Sequence, residues 1–215
     1  APAGRHQSAR IKYYDTSKEH IIQSVERSLE NFRTDYIDIL LIHRPDPMMD
    51  PSEVAEAFTR LKEQGKVKRF GVSNFAPSQV KLLNSYLDEP LVTNQIEISA
   101  THLEHFDKGT IEQCQMDRIS PMAWSPLGGG SIFTSTDDKV KRVRNVLEKI
   151  QGETGAESMD QVLYAWLLNH PSKIIPIVGS GKLERVNSAV SSLNITLSKE
   201  QWFEILEASK GKEVD

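Results

Sequence analysis

Apolar positions along this chain follow two alternating rhythms. Short apolar runs of strand length alternate with stretches in which apolar residues recur every three or four positions. The first helical stretch carries Ile21, Ile22, Val25, Leu29 and Phe32, with Thr16 and Glu19 as its capping box. A buried apolar run, Ile37 to Ile42, predicts the first strand and ends in His43, Arg44, Pro45 and Asp46. Asp50, Pro51 and Glu53 supply an N-cap, a proline at the first helical position and an acidic first turn. Val54, Ala57, Phe58 and Leu61 make the buried stripe of that helix, and Gly65 ends it. Val67 to Val72 predicts a second strand, followed by Ser73 and Asn74. Pro77 opens a helix with Val80, Leu83 and Leu87 on one face. Leu91 to Ile98 predicts a third strand carrying Asn94 and Gln95, and Asp107 to Asp117 a weakly periodic helix. Ile119 to Trp124 predicts a fourth strand running into Ser125 and the glycines 128–130. Val140, Val143, Val146, Leu147 and Ile150 set a helix. Ser158 with Gln161 caps the next, which buries Val162, Trp166 and Leu167. Ile174 to Val178 predicts a fifth strand, running into Gly179, Ser180, Gly181 and Lys182. Leu183, Val186 and Val190 set the helix after it, and Ser198 with Gln201 caps the last.

Strict alternation of short apolar strands with helices predicts an α/β fold around a parallel sheet covered on both faces. No composition break or low-complexity linker interrupts it. Residues 1–215 are therefore read as one domain, with 1–15 as a leading loop. Each strand–helix unit takes about 36 residues, whereas a closed barrel needs eight units in ~250 residues. On the barrel reading three units are missing and would precede residue 1. An open doubly wound sheet is the alternative, since five strands suffice for it.

Composition narrows the function classes. A net charge of −4 with no dominant basic patch argues against a nucleic-acid partner. No apolar run approaches the ~20 residues needed to span a bilayer, and residues 1–14 lack the apolar centre of a signal peptide. Cys114 is the only cysteine, which excludes an intrachain disulfide and fits a reducing, cytoplasmic compartment.

Candidate chemistry gathers at the strand ends. His43, Ser73 with Asn74, Asn94 with Gln95, Ser125, and Ser180 with Lys182 each stand at or near the carboxyl end of a predicted strand. In a parallel barrel such positions converge on one mouth. His43 reads either as a hydrogen-bonded structural residue or as a general acid/base or carbonyl polariser. No G-x-S-x-G motif accompanies it, so acyl transfer is unsupported. The two glycine-rich turns, Gly128 to Gly130 and Gly179 to Gly181, would let backbone approach a phosphate; equally, they read as ordinary turns. Glu184 stands where G-x-G-x-x-G requires a third glycine, and the P-loop pattern also fails. Lys182 and Arg185 put two cations on one face near a helix start, where a bound anion would stabilise them. Trp124 reads as a core residue or as a ring that stacks on a heterocycle. His102 and His105 lack partners to complete a metal set, so no metal is expected.

The segments DYIDILLIHRPD, GKVKRFGVSNF, TNQIEIS, PMAWSPLGGG and PIVGSGKLERV, in this order, resemble the aldo-keto reductases of the bacterial oxidoreductase type. The resemblance runs from about Asp15 onward. It implies a (β/α)8 TIM barrel, of which about strands 4–8 with their helices are present here. It also implies NADP(H)-dependent reduction of aldehydes and ketones by hydride transfer. By that resemblance His43 is the active-site histidine that orients and polarises the carbonyl. Ser73, Asn74 and Gln95 hold the nicotinamide carboxamide, and Trp124 stacks on the nicotinamide. Ser125, Leu127 and Gly128 belong to the loop along the pyrophosphate. Gly179, Ser180, Lys182 and Arg185 belong to the segment around the adenosine 2′-phosphate, and the two cations are the reason to expect NADP in preference to NAD. Where the family often has Glu-Asn contacting adenine, Ser188 and Ala189 stand here. The family's tyrosine acid and its lysine lie in segments that this sequence does not contain, so the chain is expected to be a C-terminal portion of a longer protein. The expected partners are a small carbonyl substrate, no nucleic acid and no membrane, with the chain a monomer or weak oligomer. A non-catalytic nucleotide-binding barrel acting as a regulatory or scaffolding subunit is the alternative.

Overall fold

The computed structural model describes residue 11 and residues 13–214. Most of the expected leading loop lies outside the described residues, and residues 13–15 have no regular structure. The chain groups into two compact units, Ala1–Gln95 and Ile96–Asp215.

The first unit opens with α1 (Lys18–Phe32), then β1 (Ile37–Ile42), α2 (Pro51–Glu63), β2 (Val67–Ser73) and α3 (Pro77–Asn84). It ends in β3 (Asn94–Glu97), within which the boundary falls. β1 pairs with β2 in parallel, Ile37 opposite Val67 and Ile42 opposite Val72. β2 pairs with β3 in parallel, Ser73 opposite Gln95. Gly71 is glycine because a Cβ there would sit 2.6 Å from Leu41 Cδ2 and 2.9 Å from the Thr93 carbonyl. Val54, Ala57, Phe58 and Leu61 of α2 are buried as their spacing predicts. Phe58 stacks on Phe70 of β2, ring centroids 3.9 Å apart. Each large apolar side chain so buried contributes about 1.5–3 kcal/mol.

Two expectations fail in this unit. β1 is not a buried run: Asp38 is exposed and Ile39 is 44% exposed. Among the described residues β1 pairs with β2 alone. Thr16 does not cap α1 either. Its hydroxyl donates instead to Asp46 Oδ2 at 3.0 Å. Ser17 is the N-cap, accepting from the His20 N–H, and the Lys18 N–H is taken by Glu53 of α2.

The second unit contains α4 (Glu104–Asp107), α5 (Thr110–Met116), β4 (Met122–Trp124), a 3-10 turn at Gly128–Gly130 and α6 (Ser131–Thr134). It continues with α7 (Asp138–Thr154), α8 (Met159–Leu168), β5 (Ile175–Pro176), α9 (Leu183–Ser191), a 3-10 turn at Ser192–Asn194 and α10 (Lys199–Lys210). β4 and β5 pair in parallel. β5 is two residues long where Ile174 to Val178 is expected. The N–H groups of Ile175 and Ile177 reach the carbonyls of Pro121 and Ala123, and Pro176 between them has none to give. The helix expected over 107–117 is broken at Gly109, whose φ of 73° only glycine adopts readily. Strands three and four begin later than expected, at Asn94 and Met122.

The core of this unit packs α7, α8 and α10 around Trp166. The indoles of Trp166 and Trp202 stack at 5.1 Å, and each N–H donates to the other's main-chain carbonyl, at 3.1 and 2.9 Å. α9 behaves differently from its pattern. Leu183 is 69% exposed and Val190 is also exposed, whereas Ala189 is buried. Ser158 takes the N-cap position of α8 but does not cap it, lying 3.3 Å from the Ser188 hydroxyl. Gln161 instead accepts from the Glu157 N–H. The capping box of Ser198 and Gln201 forms as expected.

Candidate active site

In the first unit, the carboxyl ends of β1 and β2 bring His43, Ser73 and Asn74 against Gln95 in one hydrogen-bonded set. Asn94 and Gln95, expected at a carboxyl end, are instead the first two residues of β3, because the parallel register sets Gln95 level with Ser73, the last residue of β2. The Gln95 carbonyl is its hub, accepting from the Ser73 hydroxyl at 2.8 Å and the Asn74 N–H at 2.9 Å. Asn74 Nδ2 donates to Ser73 Oγ at 2.8 Å and to the His43 carbonyl at 3.3 Å. Asn74 has φ 63°, a left-handed conformation uncommon outside glycine. Such backbone persists where surrounding contacts over-determine it, and it concentrates at functional sites. The clamp here is Asn94, whose side-chain amide accepts from the Phe75 N–H at 3.4 Å and donates to the Phe75 carbonyl at 2.8 Å. Asn94 is thus a structural member of the expected polar group: it fixes the turn that aims Asn74. Ser73 is only 2% exposed, whereas Asn74 and Gln95 are half-buried and His43 is exposed. A cleft of about 570 Å³ runs beside α1 and β1, and His43, Arg44, His20 and Asp15 are among its lining.

In the second unit, β4 delivers a half-buried Trp124 and then turns sharply. Ser125, at φ 50°, is another left-handed non-glycine residue directly after a strand. Its carbonyl accepts from the Gly128 N–H at 2.8 Å, and that of Leu127 accepts from the Gly130 N–H at 3.0 Å. Leu127 packs its side chain against the core. Gly128, Gly129 and Gly130 all have positive φ, at 59°, 63° and 89°. A Cβ at Gly128 would lie 2.6 Å from Thr101 Oγ1, while Gly129 and Gly130 face open space.

Gly179, Ser180, Gly181 and Lys182 form the loop after β5. Ser180 Oγ accepts from the Lys182 N–H at 3.2 Å, and the Lys182 carbonyl receives the Arg185 and Val186 N–H groups that start α9. The side chains of Lys182 and Arg185 are exposed at that first turn. Ser188 acts structurally, since its hydroxyl donates to Asp160 Oδ2 at 2.8 Å and ties α9 to α8.

These donors suit a nucleotide carrying phosphates. Two exposed cations stand at a helix start, and an open glycine turn presents backbone without side chains. Burial pushes the Cys114 thiol up to about 12, which favours its protonated form near neutral pH. Among the described residues no group of His, Cys, Asp or Glu could hold a metal ion, and no helix is long and apolar enough to cross a membrane. Thr101, which backs Gly128, is missed by sequence reasoning, because nothing in its neighbourhood marks it.

Comparison with known proteins covers nearly the whole chain. Residues 9–210 match the model of the Aldo/keto reductase family. The chain is 58% identical over 205 residues to the oxidoreductase YcsN of Bacillus subtilis (strain 168), covering 95% of this chain and 68% of that protein. It is 47% identical over 214 residues to a 6-dehydroglucose reductase of Agrobacterium fabrum, covering 100% of this chain and 71% of the relative. Among solved structures, the thermostable aldo-keto reductase Tm1743 superposes with a TM-score of 0.82 at 28% identity, over 90% of this chain and 67% of that one.

Proposed function

This chain belongs to the Aldo/keto reductase family, its parallel α/β architecture fits that family's (β/α)8 barrel, and on that premise we propose that it is an NADP(H)-dependent oxidoreductase reducing aldehydes and ketones to alcohols. The observation that carries the reading is the set of polar groups hung on the Gln95 carbonyl beside the carboxyl ends of β1 and β2. A carbonyl reductase needs fixed hydrogen-bonding groups beside a carbonyl that changes charge as it reacts.

Each residue has a role in this reading. His43 orients and polarises the substrate carbonyl. Ser73, Asn74 and Gln95 hold the nicotinamide carboxamide, and Trp124 offers a flat ring to the nicotinamide. Ser125, Leu127 and Gly128 follow the pyrophosphate. Gly179, Ser180, Lys182 and Arg185 take the 2′-phosphate, which favours NADP(H). Bound nicotinamide would supply the hydride, and the chain's own residues would orient the carbonyl. Residues 1–215 are read as one barrel domain. A cytoplasmic, monomeric or weakly associated protein completes the reading.

The test is NADPH oxidation by the full-length gene product with a panel of aldehydes and ketones. The panel includes 6-dehydroglucose, after the Agrobacterium relative's name. Turnover with NADPH in preference to NADH is expected. Cofactor binding without turnover on any carbonyl would count against the reductase and favour a regulatory barrel.

A further inference from the structure

The glycine turn after β4 holds itself only by two main-chain bonds, from the Gly128 N–H to the Ser125 carbonyl and from the Gly130 N–H to the Leu127 carbonyl. Gly129 and Gly130 touch nothing where a side chain would be, and three successive left-handed residues are costly to order. Side-chain contacts to the turn come from what flanks it. Upstream, Thr101 Oγ1 closes one wall against Gly128, and Thr101 is itself held by Lys139 of α7, whose ammonium donates to the Thr101 carbonyl at 2.8 Å. Downstream, the Ser131 hydroxyl donates to the Gly128 carbonyl at 2.7 Å, so α6 is coupled directly to the turn. The end of α6 is gripped by Arg144, also of α7. Its Nε donates to the Ile132 carbonyl at 2.9 Å and its Nη2 to the Ser135 carbonyl at 2.8 Å. A forked guanidinium suits this position, because one side chain satisfies two carbonyls in fixed relative geometry. These are carbonyls that a four-residue helix leaves without partners of its own.

We propose that Arg144 is a positioning residue for phosphate binding. From α7 it clamps the end of α6 and thereby holds Gly128–Gly130 in the conformation that receives the cofactor's pyrophosphate, with Lys139 and Thr101 as the opposite wall. The inference rests on the reading of that turn as part of the cofactor site. It goes beyond that reading by assigning the turn's preorganisation to a residue that touches no ligand. A turn already ordered before binding adds no ordering cost at the moment of binding.

The experiment uses the full-length protein with Arg144→Met, Arg144→Lys and, as a milder probe, Ser131→Ala. Amide hydrogen exchange is measured without cofactor, and NADPH affinity by quenching of tryptophan emission. In Arg144→Met, exchange over 128–135 accelerates while amides of α7 and α10 keep their protection. The NADPH Kd rises about tenfold, because the turn is then ordered only at the moment of binding. Arg144→Lys recovers part of both, since one ammonium reaches only one carbonyl well. If Arg144→Met does not fold, Ser131→Ala carries the test in the same direction with a smaller change. Unchanged exchange over 128–135 in the folded variant overturns the clamp. Faster exchange with unchanged NADPH affinity overturns its link to the cofactor. Wild-type protein that does not bind NADPH overturns the cofactor reading itself, and the exchange data still decide the clamp.

Discussion

The Ser73 hydroxyl donates to the main-chain carbonyl of Gln95 at 2.8 Å, joining the last residue of β2 to the strand beside it. The same oxygen of Ser73 accepts from Asn74 Nδ2. One hydroxyl therefore closes the strand pair and steadies the amide that points onward to His43.

Ser73→Ala removes both contacts in a buried setting. The expected cost is about 1–3 kcal/mol of stability, the usual penalty for leaving a buried partner unsatisfied. Urea denaturation checks it. On the functional reading KM for NADPH also rises, because Asn74 Nδ2 loses its neighbour, while Ser73→Thr keeps the hydroxyl and recovers part of the effect. A Ser73→Ala protein with wild-type stability and KM would remove Ser73 from the site.

Gly128→Ala and Gly129→Ala separate two costs. Both force a side chain into left-handed backbone, worth about 1–2 kcal/mol. Only the substitution at Gly128 also drives a Cβ to 2.6 Å from Thr101 Oγ1. Thermal denaturation should rank Gly128→Ala as the more destabilising. Combining it with Thr101→Ala, which takes the hydroxyl away, should narrow the gap between them.

Lys182→Met and Arg185→Met test cofactor choice. Both side chains are exposed, so neither change should move the melting temperature by more than the small shift typical of surface sites. Each should weaken NADPH binding by about tenfold, the scale of a charge-assisted contact to phosphate. NADH binding should be unaffected. Equal loss for both cofactors would detach these cations from a 2′-phosphate.

Stability should fall as pH drops below about 6.5, the ordinary histidine pKa. Partial burial lowers the pKa of His170 and of His105. Glu112 pulls His170 the other way, as Glu104 does His105. His170 Nδ1 accepts from the Ser172 N–H at 3.2 Å and lies 2.5 Å from the Ser172 hydroxyl, contacts that suit a neutral ring. Between the lowered folded value and the unfolded one, the unfolded chain binds more protons, so stability is full above about pH 6.5 and declines below it. Urea midpoints at pH 7.5 and 5.5 should differ in that sense, and His170→Asn should flatten the difference. A midpoint independent of pH over this interval would contradict it.

The alternation of strands and helices and the polar residues after β1, β2, β4 and β5 are legible in the sequence, because apolar periodicity is a local property of the chain; Asn94 and Gln95 open β3 instead of ending it. The turn glycines and the first strand's limits, Ile37 to Ile42, are equally local. Cap and loop partners are not. Thr16 has a neighbour to cap and bonds instead to Asp46, thirty residues away. Ser158 turns to Ser188 for the same kind of reason. The apolar spacing of α9 marks a helix but not its buried face, since burial depends on what packs against it. Asn94 and Gln95 look alike as strand-end polar residues, yet one side chain clamps Phe75 while the other residue serves through its carbonyl. Thr101 and Arg144 carry no local signal, because their partners lie across turns that only the folded chain brings near. Sequence alone determined the order in which strands and helices alternate. Tertiary structure decided which donor meets which acceptor, because a side chain bonds to whatever the fold sets within about 3 Å of it, at any separation along the chain.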